Sequence, residues 1–140
     1  MPCLEITLPK TDRETKAKLA DCLTEAFASS TLFGKEIFGV RFFEYGPGEA
    51  AVGGRLVDGD EKSPYLHALL YCPRITRSTK QKLAEALTEA FVRGTGREDW
   101  RPVIHICEHP YDNVAVEGRV LSEAFEECAK KSFYYELPKD

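Results

Sequence analysis

Nineteen residues at 9–27, PKTDRETKAKLADCLTEAF, recur at 73–91 as PRITRSTKQKLAEALTEAF, with 12 identities at an offset of 64. The same offset, without a gap, aligns residues 40–44 (VRFFE) with 104–108 (IHICE), and 51–55 (AVGGR) with 115–119 (AVEGR). Three segments in one register mean a tandem duplication, with copies at 2–57 and 66–121 and an extension at 122–140. At 140 residues the two copies are expected to form a single domain. The pattern within one copy then decides the architecture.

Each copy reads as strand, helix, strand. Leu4, Ile6 and Leu8 alternate with polar residues, and the second copy opens on the apolar run 65–72. Leu19, Leu23, Ala26 and Phe27 fall at i, i+4, i+7 and i+8, and Leu83, Leu87, Ala90 and Phe91 repeat the stripe. Thr11 with Glu14 fits a capping box for the first helix, and Thr76 caps the second. Gly34, and Gly94 or Gly96, are expected to end the helices. Second strands follow at 40–45 and 103–109, and the glycine-bearing segments at 51–57 and 115–121 read as short hairpins or edge strands. A strand, crossover helix and strand of this length require a parallel, right-handed unit. The expected fold class is therefore α/β, in a layered α+β form: a four-stranded mixed sheet with two helices on one face. Phe42 and Phe43 point to opposite faces, so the uncovered face calls for self-association. Residues 122–131 read as an amphipathic helical stretch, and Phe133-Tyr134-Tyr135 as a packing or oligomer contact.

Charge and cysteine usage narrow the function classes. A net charge of −4 lacks the basic excess that nucleic-acid binding needs. No apolar run approaches a bilayer span, and Glu5 and Lys10 lie within the first ten residues, unlike a secretory leader, so neither membrane nor export is expected. Five scattered cysteines, at 3, 22, 72, 107 and 128, point to reduced thiols in the cytoplasm. His105, Cys107 and His109 share one face of a strand, but their spacing matches no known metal motif, and neither metal nor cofactor is expected.

Two features carry candidate chemistry. Pro2 follows the initiator Met1, whose removal leaves a free secondary amine at the tip of a strand. Such an amine titrates close enough to neutrality to serve as a base when desolvated or set beside cations. Arg13 and Arg77 occupy matched positions in the first turns of the helices, where a cation opposes the helix dipole and a bound anion would relieve it. Arg74 lies three residues before Arg77, so the second copy offers two guanidinium groups for one carboxylate. Cys3 reads as a strand-packing residue.

The initial Met-Pro, the repeated β-α-β units, the run Arg-Ser-Thr-Lys-Gln-Lys at 77–82, the strand ending in Glu108 and the Val-Gly-Gly or Val-Glu-Gly turns together resemble the tautomerase superfamily. That superfamily includes 4-oxalocrotonate tautomerase and relatives with two units fused in one chain. Among these, the arginine spacing, Glu108-His109-Pro110 and Gly118-Arg119 are similar to the cis-3-chloroacrylic acid dehalogenase family. The resemblance implies a homotrimer of fused chains, catalysis by the N-terminal proline, and small carboxylic or keto acids as substrates.

The departures shape the expected reaction. Phe27 stands where the dehalogenase family has a histidine, His105 where it has a tyrosine, and Val116 where it has the water-activating glutamate, with Glu117 one residue away. Hydrolytic dehalogenation is thereby disfavoured. Gly39 and Val103 replace the second-strand arginine of the tautomerases, with Arg41 and His105 two residues along. Leu66 is the counterpart of Pro2, so one site per chain is expected. The leading expectation is an isomerase-like enzyme in which Pro2 moves a proton beside a carbonyl, Arg74 and Arg77 hold the carboxylate, and His105, Arg41 or Glu117 polarises the carbonyl or returns the proton. The alternatives are hydration, decarboxylation or dehalogenation of a three-carbon acid, or a non-catalytic trimeric scaffold if Met1 is retained.

Overall fold

The computed structural model describes residues 2–124. The expected helical stretch beyond residue 124, the aromatic residues 133–135, Cys128 and the state of Met1 lie outside the described residues.

The duplication survives as matched elements. In the first copy, strand β1 (Cys3–Pro9) leads through helix α1 (Arg13–Ser30) to β2 (Gly39–Tyr45) and a hairpin of β3 (Ala50–Val52) and β4 (Arg55–Val57). The second copy runs β5 (His67–Pro73), α2 (Arg77–Thr95), β6 (Val103–His109), then β7 (Ala115–Val116), β8 (Arg119–Val120) and the short helix α3 (Leu121–Ala124). The main-sheet strands of the two copies, β1 with β5 and β2 with β6, coincide residue for residue at the offset of 64. The main sheet has the order β2-β1-β5-β6, with β1/β2 and β5/β6 parallel and the central β1/β5 pair antiparallel. It is the mixed sheet expected from the repeat.

Period-two alternation puts Leu4, Ile6 and Leu8 of β1 and Ala68, Leu70 and Cys72 of β5 on the helix side, all nearly inaccessible. The stripe Leu19, Leu23, Ala26 and Phe27 of α1 and its copy on α2 close over them. Full burial of a side chain such as Leu70 or Phe91 contributes about 1.5–3 kcal/mol. Close helix contact fixes Gly94: a Cβ there would lie 2.7 Å from Leu19 Cδ2 and 3.1 Å from Leu19 Cα.

The helix boundaries depart from the sequence expectations in two places. The N-cap of α1 is Asp12, whose carboxylate accepts the Thr15 N–H at 2.8 Å, whereas the Thr11 hydroxyl turns back to the Pro9 carbonyl. A carboxylate outcompetes a hydroxyl for the helix amides, which displaces the cap by one residue. Gly34 does not end α1; that helix stops at Ser30, and Gly34 precedes a short 3₁₀ turn. Thr76 caps α2 as expected, and Gly96 ends it in the left-handed conformation, with φ of 68°.

Candidate active site

The central antiparallel pair determines what meets what. Cys3 pairs with Tyr71, and continuing that register by one residue sets Pro2 opposite Cys72, one strand spacing of about 5 Å away. Pro73, Arg74 and the start of α2 follow from that same strand end. Pro2 is buried, and its carbonyl accepts the Gly39 N–H at 3.3 Å. Across the next ladder Cys72 pairs with Glu108, and Pro73 with His109. One end of the sheet thus gathers Pro2, Arg74, Glu108 and His109, with Arg77 as the first residue of α2.

Glu108 is the fixed point of this end. It accepts the Ile75 N–H at 3.2 Å and the Lys80 ammonium at 2.5 Å, and Arg74 Nε stands 4.0 Å away. Arg74, Glu108, His109 and Pro110 line a cleft of about 80 Å³. Arg74 and Arg77 are both exposed, so their guanidinium groups are open to a solute anion. The neighbouring titratable groups are biased by burial. Desolvation, reinforced by the Glu108 charge, pushes the Cys72 thiol up to about 12, which keeps it protonated and unreactive at neutral pH. Burial lowers the His109 imidazole below its ordinary value, so it is neutral around pH 7. Burial and then the nearby Glu5 raise the thiol of Cys3. His109, which period-two spacing grouped with His105 and Cys107, lines this cleft instead, as part of the Glu108-His109-Pro110 segment.

The remaining candidates lie elsewhere within one chain. Arg41, Glu5, Leu69 and His105 form one row across the four strands, on the face that no helix covers. The Arg41 guanidinium stacks 4.6 Å over the Phe43 ring, and His105 Nδ1 lies 2.6 Å from His67 Nε2. Glu117 is at the exposed tip of the β7/β8 hairpin with φ of 53°, followed by Gly118 at 80°. The first copy has Gly53 and Gly54 there at 59° and 79°. Two successive positive φ values make a type I′ turn, so Glu117 belongs to the turn and not to a regular or bulged strand. Phe27 is fully buried and stacks on Phe38 with ring centroids 4.1 Å apart, a core role.

The opposite end of the sheet repeats the framework without the amine. Glu44 accepts the Thr11 N–H and the Lys16 ammonium, just as Glu108 accepts those of Ile75 and Lys80. Lys10 and Arg13 stand where Arg74 and Arg77 stand, and buried Leu66 replaces Pro2. Among the described residues, no group of three or more His, Cys, Asp or Glu side chains is arranged to hold a metal ion, and no helix is long and apolar enough to cross a membrane.

Residues 64–124 match the family model described as tautomerase enzyme. The crystal structure of native fused 4-OT superposes with a TM-score of 0.75 at 23% identity, covering 86% of this chain and 97% of that one. A fused 4-OT wild-type asymmetric trimer matches with a TM-score of 0.73 at 20% identity, over 87% of this chain and 98% of that one. A member of the cis-3-chloroacrylic acid dehalogenase family gives 0.70 at 17% identity, over 91% and 99%. No protein of curated function matches the sequence.

Proposed function

We propose that the chain, whose residues 64–124 match the tautomerase model and whose fold is that of native fused 4-OT, is an isomerase-like enzyme of the tautomerase superfamily acting through the free amine of Pro2. The substrate is a small 2-keto or unsaturated carboxylic acid. Arg74 and Arg77 hold its carboxylate through charge-assisted hydrogen bonds. Pro2, released by loss of Met1, takes a proton from the carbon beside the carbonyl and returns it at the far end of the enol or dienol, so proton count is unchanged over the cycle. Two guanidinium groups near the amine favour its neutral form at ambient pH.

The observation that carries this reading is the β1/β5 register, which brings the Pro2 end of β1 to the strand end from which Arg74 and Arg77 follow. The carbonyl is polarised by His105, Arg41 or Glu117. Within one chain these lie on the uncovered face and at a hairpin tip, so in this reading they serve a neighbouring chain's site in a homotrimer. The fused 4-OT trimer among the structural matches supports that assembly.

Ketonisation of phenylenolpyruvate, followed with protein whose intact mass shows loss of Met1, tests the reading. Pro2→Ala is expected to lower kcat/KM by about 100-fold or more, the usual worth of a positioned base. Arg77→Ala is expected to act mainly through KM. Activity falling away below neutral pH marks Pro2 as a base, whereas loss above neutral marks an acid and the hydration or decarboxylation class. Unchanged rates in both variants would overturn the proposal.

A further inference from the structure

The duplication singles out one cleft residue whose chemistry the framework does not require. His109 ends β6, and its counterpart at the offset of 64 is Tyr45, a buried side chain whose hydroxyl donates to the Tyr65 carbonyl at 2.8 Å. A ring at this place packs in the first copy; in the second, an imidazole lines the cleft with Arg74, Glu108 and Pro110. Its Nδ1 lies 3.3 Å from the Pro110 carbonyl oxygen. A carbonyl oxygen only accepts, so Nδ1 carries the ring proton and Nε2 keeps its lone pair. Burial outweighs the Pro110 hydrogen bond and holds the ring neutral around pH 7, and the positive amino terminus acts in the same direction. His109 pairs with Pro73, directly ahead of Arg74, in the row toward which the Pro2 nitrogen leads out of β1. Glu108, the other acceptor side chain here, is already bonded to the Ile75 N–H and the Lys80 ammonium. The cleft therefore sets the Arg74 cation beside an uncharged acceptor.

We propose that His109 is the specificity-determining residue of this site, its Nε2 accepting a hydrogen bond from the 2-hydroxyl of an enol acid whose carboxylate Arg74 and Arg77 hold. The inference rests on the reading of Pro2, Arg74 and Arg77 as one site, and it narrows the substrate class of that site. A 2-hydroxy-2-enoate carries its O–H donor on the carbon next to its carboxylate, which matches a neutral acceptor next to Arg74. The keto tautomer would turn a carbonyl lone pair toward that of Nε2. A second carboxylate at the same place would do so with a full charge. Either leaves two half-buried acceptors facing each other without a proton between them, which costs more than a hydrogen bond returns. The enol form of a monocarboxylic acid is therefore bound in preference to its keto form and to a dicarboxylate.

Calorimetric titration of the full-length protein at pH 7 with two acids that differ only in the hydroxyl, 2-hydroxy-3-phenylpropanoate (better-bound enantiomer) and 3-phenylpropanoate, tests the assignment. The wild type is expected to favour the hydroxy acid by about 2- to 10-fold, the net worth of one neutral hydrogen bond. His109→Phe and His109→Leu, each shown by circular dichroism to be folded, are expected to abolish that preference while binding 3-phenylpropanoate as the wild type does. Arg77→Ala is expected to weaken both acids alike and to keep the preference. A purely structural role for His109 would instead weaken both acids together. A preference that survives in the folded His109 variants, or an equal loss for both acids there, would overturn this inference and leave the reaction of Pro2 standing. Affinities for both acids that ignore Arg77→Ala, or no saturable binding at millimolar concentration, would remove the carboxylate site and this inference with it.

Discussion

Glu44 and Glu108 show how a duplicated residue separates framework from chemistry. Both sit at a strand end and both tie a helix to the sheet, but only Glu108 lines the cleft beside Arg74. Glu44 therefore reports the framework role alone. The hydrogen bond from the Lys16 ammonium, then that from the Thr11 amide, hold its carboxyl below the ordinary 4.5. A carboxyl with a depressed folded value binds fewer protons than its unfolded counterpart in that interval. Its stabilisation is thus complete above the unfolded value and lost as pH falls through the folded one. Glu44→Gln is expected to lower the melting temperature at pH 7, by an amount worth less than about 1 kcal/mol because the pair is partly exposed. The deficit should close as pH falls below the ordinary carboxylate range and through the depressed folded value. Thermal melts of both proteins across that range check it, and a deficit that is constant with pH would contradict the assignment.

The elements were legible where hydrophobic period spoke, and less so where polar groups compete. Period-two and i, i+4 patterns located all four main strands and both long helices, and the offset of 64 made each copy a check on the other. The α1 cap was misread because Thr11 and Glu14 form a plausible box, yet the Asp12 carboxylate beside them binds the amide more strongly. Gly34 does not end the helix because it lies beyond Thr31, as an extended residue ahead of a short 3₁₀ turn. The turn at Glu117 was legible from its alignment with Gly53 in the first copy's Val-Gly-Gly turn, where the backbone is left-handed as well. His67 was missed altogether, since its meeting with His105 depends on the β5/β6 register and not on spacing along the chain. Packing between elements was equally invisible, and Gly94 tests it. Helix propensity favours alanine over glycine by about 1 kcal/mol, but the Leu19 side chain and backbone occupy the space for a Cβ. Gly94→Ala is expected to destabilise by about 1–3 kcal/mol, the cost of overpacking. Chemical denaturation measures it, and a stabilised variant would mean that α1 and α2 separate more easily than their contact implies.

The whole molecule is unfinished on one side. The helices cover one face of the sheet, and the other presents the rows Phe43, Thr7, His67, Val103 and Arg41, Glu5, Leu69, His105. Val103 is 61% exposed and Phe43 39% exposed, on strands otherwise built to be buried. The same face carries Arg41 and His105, which one chain holds away from its own Pro2 end. Covering the apolar rows with further copies would bury that surface and deliver those side chains to a neighbouring site, so assembly and activity should fail together. Val103→Asp places a charge on the uncovered face at the edge strand β6 while leaving the chain's own core untouched. Light scattering during size exclusion is expected to show the wild type at three chains and the variant at one chain of 15.8 kDa, with circular dichroism unchanged. Ketonisation should fall with the assembly, since the monomer keeps Pro2, Arg74 and Arg77 but loses the partner's groups. A monomeric variant with full activity would mean that one chain holds the entire site, and would remove Arg41 and His105 from the proposed reaction.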